Sequence, residues 1–426
     1  MASVDAAGRR KRSRHARAVD RVRVRAWAEV LGASRGGVYT LDDVLDGVSG
    51  VGSDERASRR LAVLGAIVLA CGSCTGDDGA RAPSGQHEIT VAGELLTEDG
   101  LLREPGWART QLLRWDPARV ADPSRLRQWD FFTIENADAA VNLTLVDLGF
   151  LQAATVGVVD IRSGETFETT LLIDVDDAFV LSDEAFGTAS LTLADADTPA
   201  MAFVGDGRGS ATITIDLASP TFGPAVRGTF TVTLPDAMPY LSVATPFSED
   251  PHLFFFEQKI PGMLAEGEIT LGDRTWTFAA PEASAVMDWG RGAWPETATW
   301  RWAAAAATID GAPIAFNLGE GFGDPTAATE NFVAHGAIAH KLASVAWTFD
   351  PDDPTADWTF EAPDGRVRLT LHPIAPEEGG IDLGPRMRSR LRKAYGTFSG
   401  TVVLDDGRTV TLDGVRGFAE QMDLAW

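Results

Sequence analysis

The 426-residue sequence is poor in cysteine, histidine, tyrosine and positive charge. Two cysteines are too few for a disulfide scaffold. Among the six histidines, His335 and His340 would face opposite sides of a strand, and they lack the spacing of a helical zinc pair. We therefore expect no metal site. The 37 basic residues are outnumbered by 61 acidic ones, and a net charge of −24 makes nucleic acid an unfavourable partner.

Membrane-spanning runs and cofactor motifs are also lacking. The apolar run at residues 61–70 would extend about 15 Å as a helix, half of a bilayer core, so we expect the body not to be embedded in a membrane. The glycine clusters at 205–209 and 321–323 neither follow a parallel strand nor open a helix, which excludes dinucleotide and phosphate loops. No G-x-S-x-G nucleophile elbow occurs. We expect no cofactor.

The charge is divided unevenly along the chain. Residues 1–85 carry a net charge of +4 and the remaining residues −28. We interpret the basic leader as a disordered extension, or as upstream sequence translated from a start codon that was assigned too early. A nucleic-acid or membrane-surface tail is the alternative. Residues 56–71 contain Arg59-Arg60, the apolar run and Cys71, which together are typical of a lipoprotein export signal.

From Gln86 onward the sequence predicts antiparallel β-structure. Asp-Gly pairs, which favour two-residue hairpin turns, recur along it. These pairs are Asp99-Gly100, Asp206-Gly207, Asp310-Gly311, Asp364-Gly365, Asp406-Gly407 and Asp413-Gly414. The segments between them are β-rich, as in 211–215, 228–234 and 367–371, and 268–278 reads as a hairpin around Gly272-Asp273.

The predicted fold class is therefore all-β, with two barrel or sandwich lobes of the lipocalin kind. A proline cluster at 235–251 divides the body into an N-terminal lobe, 86–240, and a C-terminal lobe, 241–426. Few helices are expected. The two segments that favour short helices are 107–115 and 385–394.

Polar and aromatic residues are densest between Met287 and Phe332. In 314–323, period-two geometry puts Asn317 on a face that otherwise consists of alanine and glycines. That face suits a barrel corner that needs curvature, or a wall that a ligand or another chain approaches closely. Four tryptophans lie within 14 residues and could line a small-molecule cavity or pack in a core. They are Trp289, Trp294, Trp300 and Trp302.

The carboxylates Asp288 and Glu330 flank this hairpin, with Arg291 close to the first. A carboxyl group buried among indole rings acquires a raised pKa and can act as a general acid. The alternative interpretation is a structural Asp–Arg pair that satisfies the amides of a turn.

Several of these motifs resemble the bacterial family known as domain of unknown function 2804. The resemblance covers 86–426. It rests on Gly106-Trp107-Ala108-Arg109, Arg127-Gln128-Trp129-Asp130-Phe131-Phe132, Asp147-Leu148-Gly149-Phe150, Asp288-Trp289-Gly290-Arg291-Gly292, Asn317-Leu318-Gly319, Ala328-Thr329-Glu330-Asn331 and Gly417-Phe418-Ala419-Glu420. By this resemblance members begin near Gln86 without an export signal, which implies a cytoplasmic protein. An exported lipoprotein anchored through Cys71 is the alternative.

The family is more distantly similar to lipocalin-like double-barrel proteins that include carotenoid hydratases and tocopherol cyclases. That similarity implies a lipophilic ligand and acid catalysis without a redox cofactor. Our leading hypothesis is a β-barrel protein that binds a lipophilic small molecule near 288–332. The four tryptophans would line its cavity, and Arg291, Asn317, Glu330 and Asn331 would contact the polar end of the ligand. The alternatives are a cofactor-free lyase or isomerase, with Asp288 or Glu330 as general acid, and a purely structural or interaction module.

Overall fold

The structure is a computed structural model, and it describes residues 38–39, 85–173, 179–193, 198–217, 224–236 and 238–426. The predicted signal at 56–71, Cys71 and almost all of the basic leader lie outside the described residues. Strands make up 60% of the structure and helix 2%, which confirms the predicted all-β class. In the described part of the chain, no helix has the length and apolar character needed to span a bilayer.

The strands form two large antiparallel sheets, each curled into a half-barrel. The first sheet has thirteen strands. They are β3 (Gly106–Ala108), β5 (Leu126–Glu135), β6 (Ala139–Asp147), β7 (Gln152–Asp160), β8 (Glu165–Ile173), β9 (Thr188–Leu191), β10 (Met201–Gly205), β11 (Ser210–Leu217), β12 (Val226–Thr233), β13 (Leu241–Pro246), β14 (Phe254–Leu271), β15 (Arg274–Phe278) and β16 (Ser284–Ala293). Its main order is β8-β7-β6-β5-β16-β14-β12-β11-β10-β9.

The second sheet has ten strands. They are β1 (Val38–Tyr39), β17 (Thr297–Ile309), β18 (Ala312–Glu320), β19 (Phe332–His335), β20 (Ile338–Lys341), β21 (Ala346–Thr348), β22 (Trp358–Glu361), β23 (Val367–Ile381), β24 (Arg388–Val403) and β25 (Thr409–Ala425). Its order is β20-β19-β18-β17-β25-β24-β23-β22-β21, and β1 pairs in parallel with β23. A small parallel pair joins β2 (Gly93–Glu94) to β4 (Leu113–Arg114).

Glycines with positive φ confirm the turn signals. All six glycines of the predicted Asp-Gly pairs have φ between 66° and 82°. Five of the pairs lie in turns outside the strands, and Asp310 itself has a φ of 51°. The sixth pair, Asp413-Gly414, lies inside β25, where the register with β24 shifts between Phe398 and Gly400. Positive φ therefore produces a bulge there rather than a turn.

The two predicted helices are wrong. The segment 107–115 contributes to β3 and β4, and 385–394 enters β24 at Arg388. In the second case arginine recurs at every other position from 386 to 392, a period of two that suits a strand. The helical pieces among the described residues are two 3-10 turns, Pro117–Arg119 and Pro123–Arg125. Each begins at an aspartate, Asp116 or Asp122, that accepts a backbone N–H two residues later.

Apolar side chains fill the hollow of each half-barrel, and a third group packs between the sheets. On β14, Phe254, Phe256 and Ile260 belong to the core of the first sheet. Phe255 packs with Trp294 and Phe332 against the second sheet. Because successive side chains of a strand alternate, the odd-numbered positions of this part of β14 face the second sheet.

The chain passes from one sheet to the other between Ala293 and Thr297. The lobe boundary predicted at 240/241 lies within the first sheet, directly before β13. Its proline cluster includes Pro246, the last residue of β13. The division into 86–240 and 241–426 stays a prediction about domains.

Candidate functional site

A buried lysine, Lys259, lies at the interface of the two sheets with three carboxyl groups around it. It stands directly opposite Asp288 in the β14–β16 ladder, so both side chains leave the sheet on the same face. The Lys259 Nζ lies 2.8 Å from Asp288 Oδ2 and 2.5 Å from Glu257 Oε1, which is two positions earlier on β14. The first sheet thus supplies one ammonium and two carboxyl groups.

The second sheet supplies the third carboxyl group and the aromatic surroundings. Glu330 Oε2 lies 3.5 Å from Lys259 Nζ. The ring centroid of Trp302, on β17, lies 4.2 Å from the same nitrogen, and that of Phe322 lies 5.2 Å away. Ring faces attract a cation at these separations. The site therefore exists only where the two sheets meet.

Gly319 makes room for Glu330. Any β-carbon at position 319 would overlap the carboxyl group of Glu330, so the absence of a side chain on β18 lets the carboxyl group lie against its backbone. The close approach predicted for this bare face is real, and the group that approaches is a side chain of the protein itself.

Two asparagines fix the backbone around Glu330. Asn317 accepts a hydrogen bond of 2.7 Å from the Trp302 indole N–H and donates one of 2.9 Å to the Glu330 carbonyl. Asn331 accepts one of 2.6 Å from the Gly319 N–H through its side-chain oxygen. Both asparagines are fully buried. Their amide groups are used in holding the Glu330 segment on β18.

Burial and mutual repulsion govern the protonation of the cluster. Burial raises the pKa of Glu330 to about 7; Lys259 opposes this shift and Asp288 adds to it. Burial raises the pKa of Glu257 well above its usual range, and the negative charges of Asp288 and Glu330 add to this shift. For Lys259, burial disfavours the ammonium, but the three carboxylates outweigh it and raise its pKa. The cluster thus binds protons near neutral pH around a permanent ammonium.

Several carboxyl oxygens of the cluster have no hydrogen-bond partner among the described residues. They include both oxygens of Glu330, Oε2 of Glu257 and Oδ1 of Asp288, whereas Oε1 of Glu257 has its ion pair with Lys259. A buried acceptor without a partner is costly, whereas a protonated carboxyl group can donate its hydrogen instead. This arrangement favours a proton on at least one of the three groups.

The structure brings together five of the nine predicted site residues, namely Asp288, Trp302, Asn317, Glu330 and Asn331. Trp294 and Trp300 pack beside them, because both rings contact Phe322, with centroids 6.3 Å and 5.8 Å away. Both belong to the aromatic cluster between the sheets, in which Trp294 is fully buried.

Trp289 and Arg291 are not in the cluster. They differ from Asp288 by an odd number of positions on β16, so they face the hollow of the first sheet. Arg291 pairs with Asp130 at 2.8 Å, lies over the Trp289 ring at 4.0 Å, and donates to the carbonyls of Trp129 and Ser182. The predicted Asp–Arg pair therefore exists with Asp130 rather than Asp288.

Sequence reasoning missed Lys259 and Glu257. The available signal was a run of three phenylalanines that continues as Glu257-Gln258-Lys259-Ile260. Two opposite charges at alternate positions directly after a run of phenylalanines lie on the same face of the strand. That pattern predicts a buried ion pair, although it does not identify the partners on other strands.

Another buried lysine, Lys393, is connected to the Trp302 ring through Phe418. Its Nζ lies 3.2 Å from Glu420 Oε2 and 4.3 Å from the centroid of Phe418. The Phe418 ring in turn lies 4.8 Å from that of Trp302. Aromatic rings therefore separate two lysine–carboxylate pairs within the same interface.

An open groove of about 680 Å³ lies against the loop that Arg291 holds. It is lined by Trp115, Tyr240 and residues 183–186. Arg291 and Trp289 both bind the carbonyl of Ser182 immediately before these loop residues. Among the described residues, no group of three or more His, Cys, Asp or Glu side chains is arranged to hold a metal ion.

Comparison with known proteins identifies a family from the sequence and distantly similar solved structures from the fold. The sequence profile described as domain of unknown function (DUF2804) matches residues 86–426. Curated proteins give no matching sequence. Among solved structures, kievitone hydratase from Nectria haematococca is similar at 12% identity, over 70% of this chain and 88% of that one, with a TM-score of 0.42. The structure of CghA with Sch210972 is similar at 13% identity, over 78% and 97%, with a TM-score of 0.45. These similarities are too distant to indicate an activity.

Proposed function

Because the chain belongs to the DUF2804 family, whose description names no activity, we propose a function from the geometry and the protonation of the buried carboxyl cluster. The protein is a cofactor-free acid–base enzyme that binds a lipophilic small molecule between its two sheets and transfers a proton to it. Glu330 is the proton donor. The reaction class is hydration, cyclisation or isomerisation at a carbon–carbon double bond.

The observation that carries this proposal is the state of the Glu330 carboxyl group. It is buried beside Lys259 and aromatic rings, neither oxygen has a hydrogen-bond partner among the described residues, and its pKa is raised to about 7. An acid whose pKa lies near the working pH is both protonated and able to give up its proton. An apolar enclosure also strengthens its interaction with a developing cation.

The other members of the cluster have supporting roles. Lys259 pairs with Asp288 and keeps a positive charge in the interface, which stabilises the Glu330 carboxylate once the proton has left. Trp302 and Phe322 contact the same ammonium and hold it beside Glu330. In a hydration, protonation of the double bond forms a carbocation on the substrate, water adds to that carbocation and a proton returns to Glu330, so the enzyme ends in its starting state.

Deuterium incorporation tests the proposal and does not require the natural substrate to be identified first. Organic extraction and mass spectrometry of the purified full chain would identify a co-purifying lipophile. That lipophile, together with farnesol and β-ionone as apolar alkene probes, would be incubated with the protein in D₂O. We expect carbon-bound deuterium in at least one compound, and we expect Glu330→Gln to lower its rate at least 100-fold.

Glu361→Gln is the matched control, because Glu361 is an exposed glutamate on β22. It should leave the rate unchanged. The acid–base proposal fails if no compound takes up deuterium, or if folded Glu330→Gln retains the wild-type rate. If Asp288→Asn and Glu330→Gln both prevent folding, the carboxyl groups are structural. Binding of a lipophile without turnover would leave only the binding part of the proposal.

A further inference from the structure

The three residues at 329–331 are fixed mainly by side chains from elsewhere in the chain. They lie between β18 and β19, outside the strand ladder. The Thr329 N–H donates to the side-chain oxygen of Gln86 at 2.8 Å, and the Glu330 carbonyl accepts from Asn317. The position of the Glu330 carboxyl group therefore depends on these side-chain contacts.

Lys341 makes contacts on both sides of Glu330. Its Nζ donates to Thr329 Oγ1 at 2.8 Å and to the Asn331 carbonyl at 3.0 Å. A third bond of 2.9 Å goes to the carbonyl of Leu342. Lys341 is buried, and these three neutral oxygens can receive all three of its N–H groups.

This arrangement differs from an ordinary buried ion pair. A buried lysine is usually paired with an opposite charge. Here the ammonium bonds to neutral oxygens and links the two residues that flank a carboxyl group. Burial lowers the pKa of Lys341 well below its usual range; the charge of Glu330 opposes this shift and that of Arg366 adds to it. When Lys341 carries its proton, its charge favours the ionised form of Glu330. Lys341 thus fixes the local backbone and, in its protonated form, supplies a positive potential.

We propose that Lys341 is a positioning residue, which holds residues 329–331 so that the Glu330 carboxyl group faces Lys259 and sets how tightly that group binds its proton. The catalytic meaning of this role rests on the proposed function, whereas the effect on the Glu330 proton does not. The charged or titratable groups around Glu330 are Lys259 and Glu257 from β14, Asp288 from β16 and Lys341 from β20.

The test measures the Glu330 proton directly. The infrared band of a protonated carboxyl group would be recorded against pH for the full chain, and the spectrum of Glu330→Gln would identify the component that belongs to Glu330. We expect Lys341→Met to move the midpoint of that component upward by about 0.5 to 1 pH unit, because a nearby positive charge is lost. Lys341→Arg, which keeps the charge, should restore at least half of the shift.

Lys393→Met is the matched control, since it removes another buried lysine from the same interface and should leave the Glu330 midpoint unchanged. Thr329→Val is a milder second variant that removes the side-chain acceptor and retains the Lys341 charge; we expect a smaller shift in the same direction. The proposal is overturned if folded Lys341→Met keeps the wild-type midpoint. It is also overturned if Lys341→Met does not fold and Thr329→Val leaves the midpoint unchanged.

The two proposals fail separately. If Glu330→Gln retains deuterium incorporation, Glu330 is not the proton donor, but the Lys341 effect on its midpoint remains measurable. If both proposals hold, the pH profile of kcat for Lys341→Met moves by the same amount as the infrared midpoint. A merely structural lysine would not produce that agreement.

Discussion

Replacing Glu330 by glutamine removes one buried titratable group from between the sheets while keeping its size and shape. Two effects compete at this position. Burial favours the neutral carboxyl group, and the ammonium of Lys259, 3.5 Å away, favours the carboxylate. The direction of the pH dependence tells which effect is larger. Because the pKa is raised from 4.5 to about 7, burial is expected to be larger.

The magnitude follows from linkage. A pKa that is higher in the folded state means that the folded protein binds the proton more tightly. The stability this proton contributes is present in full below pH 4.5 and is lost as the pH rises through about 7. At about 1.4 kcal/mol per unit, the wild type should lose about 2 to 3 kcal/mol relative to Glu330→Gln between pH 5 and pH 8. Glutamine does not titrate and shows no such loss.

Urea unfolding of both proteins at pH 5 and pH 8 measures this difference. Each free energy of unfolding is taken from the same linear extrapolation, and Glu361→Gln serves as an exposed control that should follow the wild type. If the wild type and Glu330→Gln differ in free energy of unfolding by the same amount at pH 5 and pH 8, the reasoning about burial is refuted. If the wild type instead becomes more stable relative to Glu330→Gln as the pH is raised, the ion pair with Lys259 outweighs burial and Glu330 is ionised in the folded protein.

Three further substitutions test the surroundings of the site. Lys259→Met leaves the carboxyl groups around it without their ammonium. We expect the free energy of unfolding, measured in urea, to fall by about 3 to 5 kcal/mol at pH 8, and by less at pH 5, where the cluster binds protons more readily. Gly319→Ala places a methyl group against the Glu330 carboxyl group and should cost about 1 to 3 kcal/mol. Gly379→Ala, where the new methyl group meets open space, should cost less, and the Gly319→Ala penalty should shrink in a Glu330→Ala background. Arg291→Lys keeps a charge but loses the forked contacts with Asp130 and backbone carbonyls, so stability should fall by about 2 to 3 kcal/mol while the Glu330 midpoint stays in place.

The features that sequence could predict are local ones. An Asp-Gly pair carries its conformational preference within two residues, so all six glycines could be expected to have positive φ. Alternation along 314–323 likewise put Asn317 on one face with Ala315 and Gly319, and these three residues lie on β18. Gly321 and Gly323, which were predicted to continue that face, lie beyond the end of β18 at Glu320. In 385–394 the alternation of the arginines outweighs any helical preference, and the segment enters β24 at Arg388.

The site was only half predictable, because its members meet through contacts between sheets. Asp288 and Glu330 attract attention as charges among aromatic residues, and the structure brings them to the same lysine. Nothing local connects either of them to Lys259, which arrives through the register of β14 with β16. Arg291 could have been separated from Asp288 by sequence alone, since an offset of three on a strand reverses the face.

The location of the cluster explains why its chemistry depends on the whole fold. The first sheet provides Glu257, Lys259 and Asp288, and the second provides Trp302 and Glu330. Glu257, Lys259 and Glu330 are almost fully buried where the two sheets meet. The raised pKa of Glu330 is caused first by burial, and its burial requires the sheets to be docked. Any change that separates the sheets should therefore return Glu330 toward its ordinary pKa and, if Glu330 is the proton donor, abolish proton transfer before either half-barrel unfolds.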